Sequence, residues 1–100
     1  MSTAARPDEE TVVHSRTAVV ASSVGLHARP AAVFAKAAAA AGVPVTLAVA
    51  GRDPIDARSV LQVMTLGVEH GQEVTLSAEG DDAPAVLADL AGLLESDLDA

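Results

Sequence analysis

A chain of 100 residues can form one domain with its own apolar core, and its 14 acidic against 6 basic side chains leave a net charge of −8. That charge would repel a nucleic-acid backbone or an anionic membrane, and the single aromatic residue, Phe34, leaves no row of stacking platforms for single strands. Without cysteine there is neither a disulfide nor a thiolate metal site, three scattered histidines are a poor basis for a structural metal, and the composition suits a reducing cytoplasm.

Residues 1–11 are polar and charged without a period, so they are read as a disordered leader with no signal-peptide core, and the domain is expected over residues 12–100. The β-branched Val13, Thr17, Val19 and Val20 predict a first strand within 13–22, though the alternation is too loose to assign its buried face. Residues 31–41 carry Val33, Phe34, Ala37, Ala38 and Ala41 at helical spacing, with Gly42 placed to end the helix. Its apolar run is broken by Gly42 and Pro44 far short of the ~20 residues that span a bilayer. Val45, Leu47 and Val49 then alternate with small or polar residues as in a half-buried strand. Gly51 to Pro54 turns the chain, and Ile55 begins a short partner strand.

Ser59, followed by Gln62 three residues later, is a capping-box pattern opening a short helix through Val60, Leu61, Val63, Met64 and Leu66, closed by Gly67. After a His70-Gly71 turn, Val74, Leu76 and Ala78 alternate in a last strand. Between Asp81 and Leu98, the residues Val86, Leu87, Leu90, Leu93 and Leu94 share one helical face, with Asp81 or Asp82 as cap and Pro84 in the first turn. The order β, α, β, β, α, β, α predicts an α+β open-faced β-sandwich, in which three helices pack on one face of a four-stranded, mainly antiparallel sheet.

Chemistry concentrates where the first strand gives way to the alanine-rich helix, at Gly25-Leu26-His27-Ala28-Arg29-Pro30-Ala31. Pro30 is favoured in a first turn, so the helix should start at Ala28 or Arg29, with His27 just before it. The N–H groups of Ala28 and Arg29 would then point at an anion on the imidazole, while Pro30 offers no donor. Arg29 adds a permanent charge whose fork matches phosphate oxygens, and Gly25 lets the backbone turn tightly. An unperturbed imidazole is largely neutral and nucleophilic near neutral pH, so His27 can accept a phosphoryl group without a metal or cofactor. One histidine beside one arginine is common enough that a loop histidine and a solvated charge remain the alternative from chemistry alone.

The same seven residues resemble the phosphohistidine motif of the HPr family of phosphocarrier proteins. The resemblance continues through Arg58-Ser59, Val63-Met64-Thr65-Leu66-Gly67 and the run from Gly71 to Gly80, covering about residues 13–95. It implies that His27 is phosphorylated on Nδ1 by enzyme I, with phosphoenolpyruvate as ultimate donor, and that Arg29 is its phosphate partner. The group would then pass to the A domains of sugar-specific permeases in the phosphotransferase system. Departures are the long leader, one extra residue in the turn from Gly51 to Ala57, and Gln62 where many members have glycine.

Ser59 has a sufficient structural role as a cap. The resemblance adds that the matching serine is, in some lineages, phosphorylated by a regulatory kinase, so a serine kinase/phosphorylase joins the expected partners. Val60, Leu61 and Met64 look like core residues by spacing. The resemblance instead places part of that face beside His27 as a docking patch, rimmed by Arg58, Arg29 and Lys36 and suited to acidic partners. His14 and His70 read as a strand-edge and a turn histidine. Rival readings are a regulatory or nitrogen-type phosphorelay paralogue, and an acyl carrier modified at Ser59, which would require a helical bundle. The expected protein is a monomeric cytoplasmic phosphocarrier with no nucleic-acid partner and no membrane insertion.

Overall fold

In the computed structural model, which describes residues 12–96, the elements are β1 (Val13–Val19), α1 (Ala28–Ala40), β2 (Val45–Ala48), β3 (Ile55–Asp56), α2 (Val60–Thr65), β4 (Glu73–Glu79) and α3 (Ala83–Leu94). The expected order holds. The sheet runs β1-β4-β2-β3 with every pairing antiparallel, so β1 and β3 are its edges. Leucine and valine at alternate positions give it one apolar face: Val45, Leu47, Val74 and Leu76 are buried, whereas Thr46 and Glu73 face solvent. On the uncovered face the Ser15 and Ser77 hydroxyls meet at 2.9 Å.

The buried face carries the core, where Phe34 of α1, Val63 of α2 and Leu87, Leu90 and Leu94 of α3 join the sheet residues. α1 is seated one step round from the expected stripe. Pro30, Ala31, Phe34, Ala35 and Ala38 are buried, while Val33 is exposed and Ala37 and Ala41 are half-buried. In α3 the inward residues are Ala83, Leu87, Leu90, Ala91 and Leu94, with Val86 and Leu93 at the margin. Alanine explains both rotations, because it packs closely where helices approach yet carries too little apolar weight to reveal a face in sequence.

The ambiguity of the first strand has a similar cause. His14 and Arg16 share the parity of the buried Ala18, but they lie at the rim beside Pro84 and Leu87, half-buried and exposed respectively. The strand ends at Val19, and Val20 and Ser22 beyond it are fully buried.

Helix boundaries largely follow local signals. α1 starts at Ala28 and is followed by Gly42 at φ +85°, a conformation that costs an L side chain about 1–2 kcal/mol. Ser59 caps α2, its Oγ accepting the Gln62 N–H at 3.2 Å. The reciprocal half of the expected capping box is absent. Gln62 Oε1 accepts the Asp56 N–H at 3.1 Å, and the Ser59 N–H donates to the Asp56 carbonyl instead. Asp82 occupies the N-cap of α3 but makes no side-chain cap bond. The leader and Leu98 lie outside the described residues.

Since Ser59 Oγ makes one of the two ordinary cap bonds, Ser59→Ala should cost about 0.5–2 kcal/mol, read as a shift in the denaturation midpoint at constant slope.

Candidate functional site

Three segments converge where β1 leads into α1. His27 is the N-cap of α1, with extended backbone (φ −89°, ψ −168°) and a side chain free of any cap hydrogen bond. Its carbonyl accepts the Ala31 N–H at 2.8 Å, closing the first helical turn. The N–H groups of Ala28 and Arg29 precede that bond and have no intrahelical acceptor, and no acidic residue in the first turn competes with an incoming anion for the positive end of the helix dipole. His27, Ala28 and Arg29 are exposed while Pro30 is buried, so the ring and its charged neighbour reach solvent from a fixed base. Arg29 forms no ion pair with another described residue, which leaves its guanidinium available to an incoming anion.

The base beneath His27 comes from a part of the chain that sequence reasoning did not connect to it. Leu26 N–H donates to the Val68 carbonyl at 2.9 Å, and Gly25 packs so closely on Val68 and Glu69 that a Cβ there would fall inside contact distance of the Val68 carbonyl oxygen. Gly25 also sits at φ +71° and closes a turn through its N–H to the Ser22 carbonyl at 3.0 Å. The residue is glycine for two separate reasons, backbone approach and handedness.

Helix α2 packs against α1. Of Val60 to Thr65 only Val63 is buried. Leu61 is 76% exposed, and Val60 and Met64 are exposed at 36% and 37%, so their reading as core by spacing is wrong. A six-residue helix buries one or two positions per turn and leaves the rest outside. Val24 and Val33 add further exposed apolar surface.

Arg58 is not a free cation. Its Nε and Nη2 reach the two Asp56 carboxylate oxygens at 3.1 and 3.2 Å, and its N–H donates to Oδ1 at 2.9 Å. Hydrogen bonds from the Arg58 side chain and then its backbone hold the Asp56 carboxyl below its ordinary 3.8, while Asp56 raises Arg58. A depressed carboxyl stabilises the fold above its unfolded value and loses that contribution as pH falls through the folded one, but solvent keeps this pair weak. The turn with the extra residue also has a local anchor, since Arg52 Nη2 donates to the Thr65 carbonyl at 3.3 Å near the end of α2.

An exposed imidazole at a helix N-terminus, beside an arginine and on an α+β sandwich, is a geometry in which an anionic group could sit on or beside the ring. A four-stranded sheet also removes the helical-bundle alternative.

Residues 14–96 match the family model described as the PTS HPr component phosphorylation site. The phosphocarrier protein HPr of Streptomyces coelicolor is 47% identical over 75 residues, covering 75% of this chain and 81% of that protein. The Haloferax volcanii phosphocarrier protein HPr is 44% identical over 82 residues, covering 81% and 92%. The crystal structure of HPr from Thermoanaerobacter tengcongensis superposes with a TM-score of 0.78 at 34% identity, covering 87% of this chain and 97% of that one. The chain belongs to the HPr family of phosphocarrier proteins of the phosphotransferase system.

Proposed function

We propose that this chain carries a phosphoryl group on Nδ1 of His27, accepted from phospho-enzyme I with phosphoenolpyruvate as ultimate donor and delivered to the A domains of sugar permeases. The observation that carries this reading is the exposed His27 ring at the N-terminus of α1, unengaged by any cap bond and flanked by two free N–H groups and Arg29. In the transfer the Nδ1 lone pair forms a bond to phosphorus as the donor's bond to phosphorus breaks, with no change of oxidation state. Charge on the equatorial oxygens is met by the Ala28 and Arg29 N–H groups, the helix dipole and the Arg29 guanidinium. The protein supplies position and field, and reversal of the same step releases the group to the next carrier.

Val60, Leu61 and Met64 form the docking patch in this reading, with Arg58 at its rim. Because Asp56 offsets the Arg58 charge, apolar contact carries more of that rim than charge attraction does, which suits a short-lived complex. Ser59 is the candidate for regulatory phosphorylation by a serine kinase/phosphorylase, and it shares the docking face. The protein acts as a cytoplasmic monomer. No helix among the described residues is long and apolar enough to cross a membrane.

Incubation with enzyme I and phosphoenolpyruvate, followed by intact mass before and after acid, tests the central step. One acid-labile phosphoryl group is expected; an acid-stable adduct, or none, would reject it. Arg29→Ala should slow transfer in both directions by about tenfold to a hundredfold while leaving the melting temperature within a few degrees, because the exposed guanidinium serves a phosphate rather than the fold. Stopped-flow rates paired with a thermal melt would check both halves.

A further inference from the structure

The residues before His27 are stitched to the segment from Val68 to Gln72 at several points. Val20 N–H donates to the Gln72 carbonyl at 3.0 Å, Gly71 N–H donates to the Val20 carbonyl at 2.8 Å, and Leu26 N–H donates to the Val68 carbonyl at 2.9 Å. These main-chain bonds pin both ends of the loop. Between them, the turn from Ser22 to Gly25 closes on itself through the Ser22 carbonyl, and the Ser22 hydroxyl, although fully buried, has no hydrogen-bond partner. The His70 ring reaches that same carbonyl, with Nδ1 3.4 Å from the Ser22 oxygen.

We propose that His70 is a positioning residue for phosphoryl transfer at His27, its ring holding the Ser22–Gly25 turn that presents the acceptor. The inference rests on His27 being that acceptor. A carbonyl oxygen can only accept, so the contact requires a proton on Nδ1 of His70, with Nε2 left to solvent. At 3.4 Å the bond lies at the long end of hydrogen bonding and contributes little to stability, and His70 is exposed, so its loss should spare the fold. Transfer is less forgiving than folding. In-line attack depends on the ring's placement, and a shift of about 1 Å can cost a hundredfold in rate. The turn's last residue, Gly25, lies two positions before His27, so drift of the Ser22 carbonyl reaches the acceptor through a very short stretch of chain.

The test uses the full chain with enzyme I of the same organism and phosphoenolpyruvate. His70→Ala should lower the maximal rate of His27 phosphorylation by about fivefold to tenfold, with KM for the donor within about twofold and the melting temperature unchanged. His70→Gln, whose amide can donate to the same carbonyl, should recover most of that rate. Nitrogen-15 chemical shifts of the wild-type ring should place the neutral proton on Nδ1. A wild-type rate in His70→Ala, a glutamine variant no faster than alanine, or an Nδ1 that carries no proton would each overturn the positioning role alone. Failure of the wild-type chain to take an acid-labile phosphoryl group would overturn the acceptor reading, and this inference with it.

Discussion

His27→Ala is expected to take up no phosphoryl group from enzyme I and phosphoenolpyruvate while melting within about a degree or two of the wild-type protein. Loss of labelling follows because the substitution removes the attacking nitrogen and leaves no other nucleophile at the start of α1. Ala28 and Arg29 keep their N–H groups and charge but cannot form a bond to phosphorus. The other two histidines lie elsewhere, His14 on the edge strand β1 and His70 in the turn before β4. Stability should hold because the imidazole is exposed and makes no cap bond, and the backbone bond from Ala31 N–H to the residue-27 carbonyl survives any side chain. Intact mass before and after acid, with a thermal melt, reads both properties. Full acid-labile labelling of the variant would move the acceptor to another residue.

Much of the architecture and the placement of His27 at a helix start were legible because they rest on local signals. Alternation in Val45 to Val49 and Val74 to Ala78, a proline in the first turn at Pro30 and a serine before an apolar run at Ser59 each act over a few residues. Less legible was whatever depends on the third dimension. The inward face of α1 lies one step round from the stripe read through Val33, Phe34, Ala37, Ala38 and Ala41, because the alanines flanking Phe34 carry too little apolar weight to fix it, and the exposure of Leu61 follows from how short α2 is and where it lies. The Asp56–Arg58 pair joins residues two apart, but its geometry comes from the turn entering α2. The Gln62 side chain could have bonded either Ser59 or Asp56, and only the folded turn decides in favour of Asp56. Least visible was the support of the loop before His27 by Val68 to Gln72, more than forty positions away in sequence and made largely through main-chain atoms that carry no residue signature.

That hidden support makes Gly25 the position where a small change should do most damage to the fold. Gly25→Ala adds one methyl group, yet it meets two independent penalties. At φ +71° an L side chain costs about 1–2 kcal/mol. The new Cβ would also press into the Val68 carbonyl oxygen and lie 2.8 Å from the Glu69 Cα. Both are backbone atoms, so no rotamer change can make room. Relief requires separating the loop before His27 from the segment at Val68, between α2 and β4, which strains or breaks the bond from Leu26 N–H to the Val68 carbonyl. Overpacking of this kind costs about 1–3 kcal/mol, so a total loss near 3 kcal/mol or more is expected, a large share of a domain this size. Gly42, also at positive φ but with nothing near its missing Cβ, provides the control: Gly42→Ala should carry the conformational cost alone. Chemical denaturation of the two variants side by side separates the terms. Gly25→Ala should lose at least about 1 kcal/mol more than Gly42→Ala, and it should also show faster amide exchange at Leu26. Equal losses at the two glycines would mean that the loop is free to move away from Val68, and would remove the fixed base beneath His27.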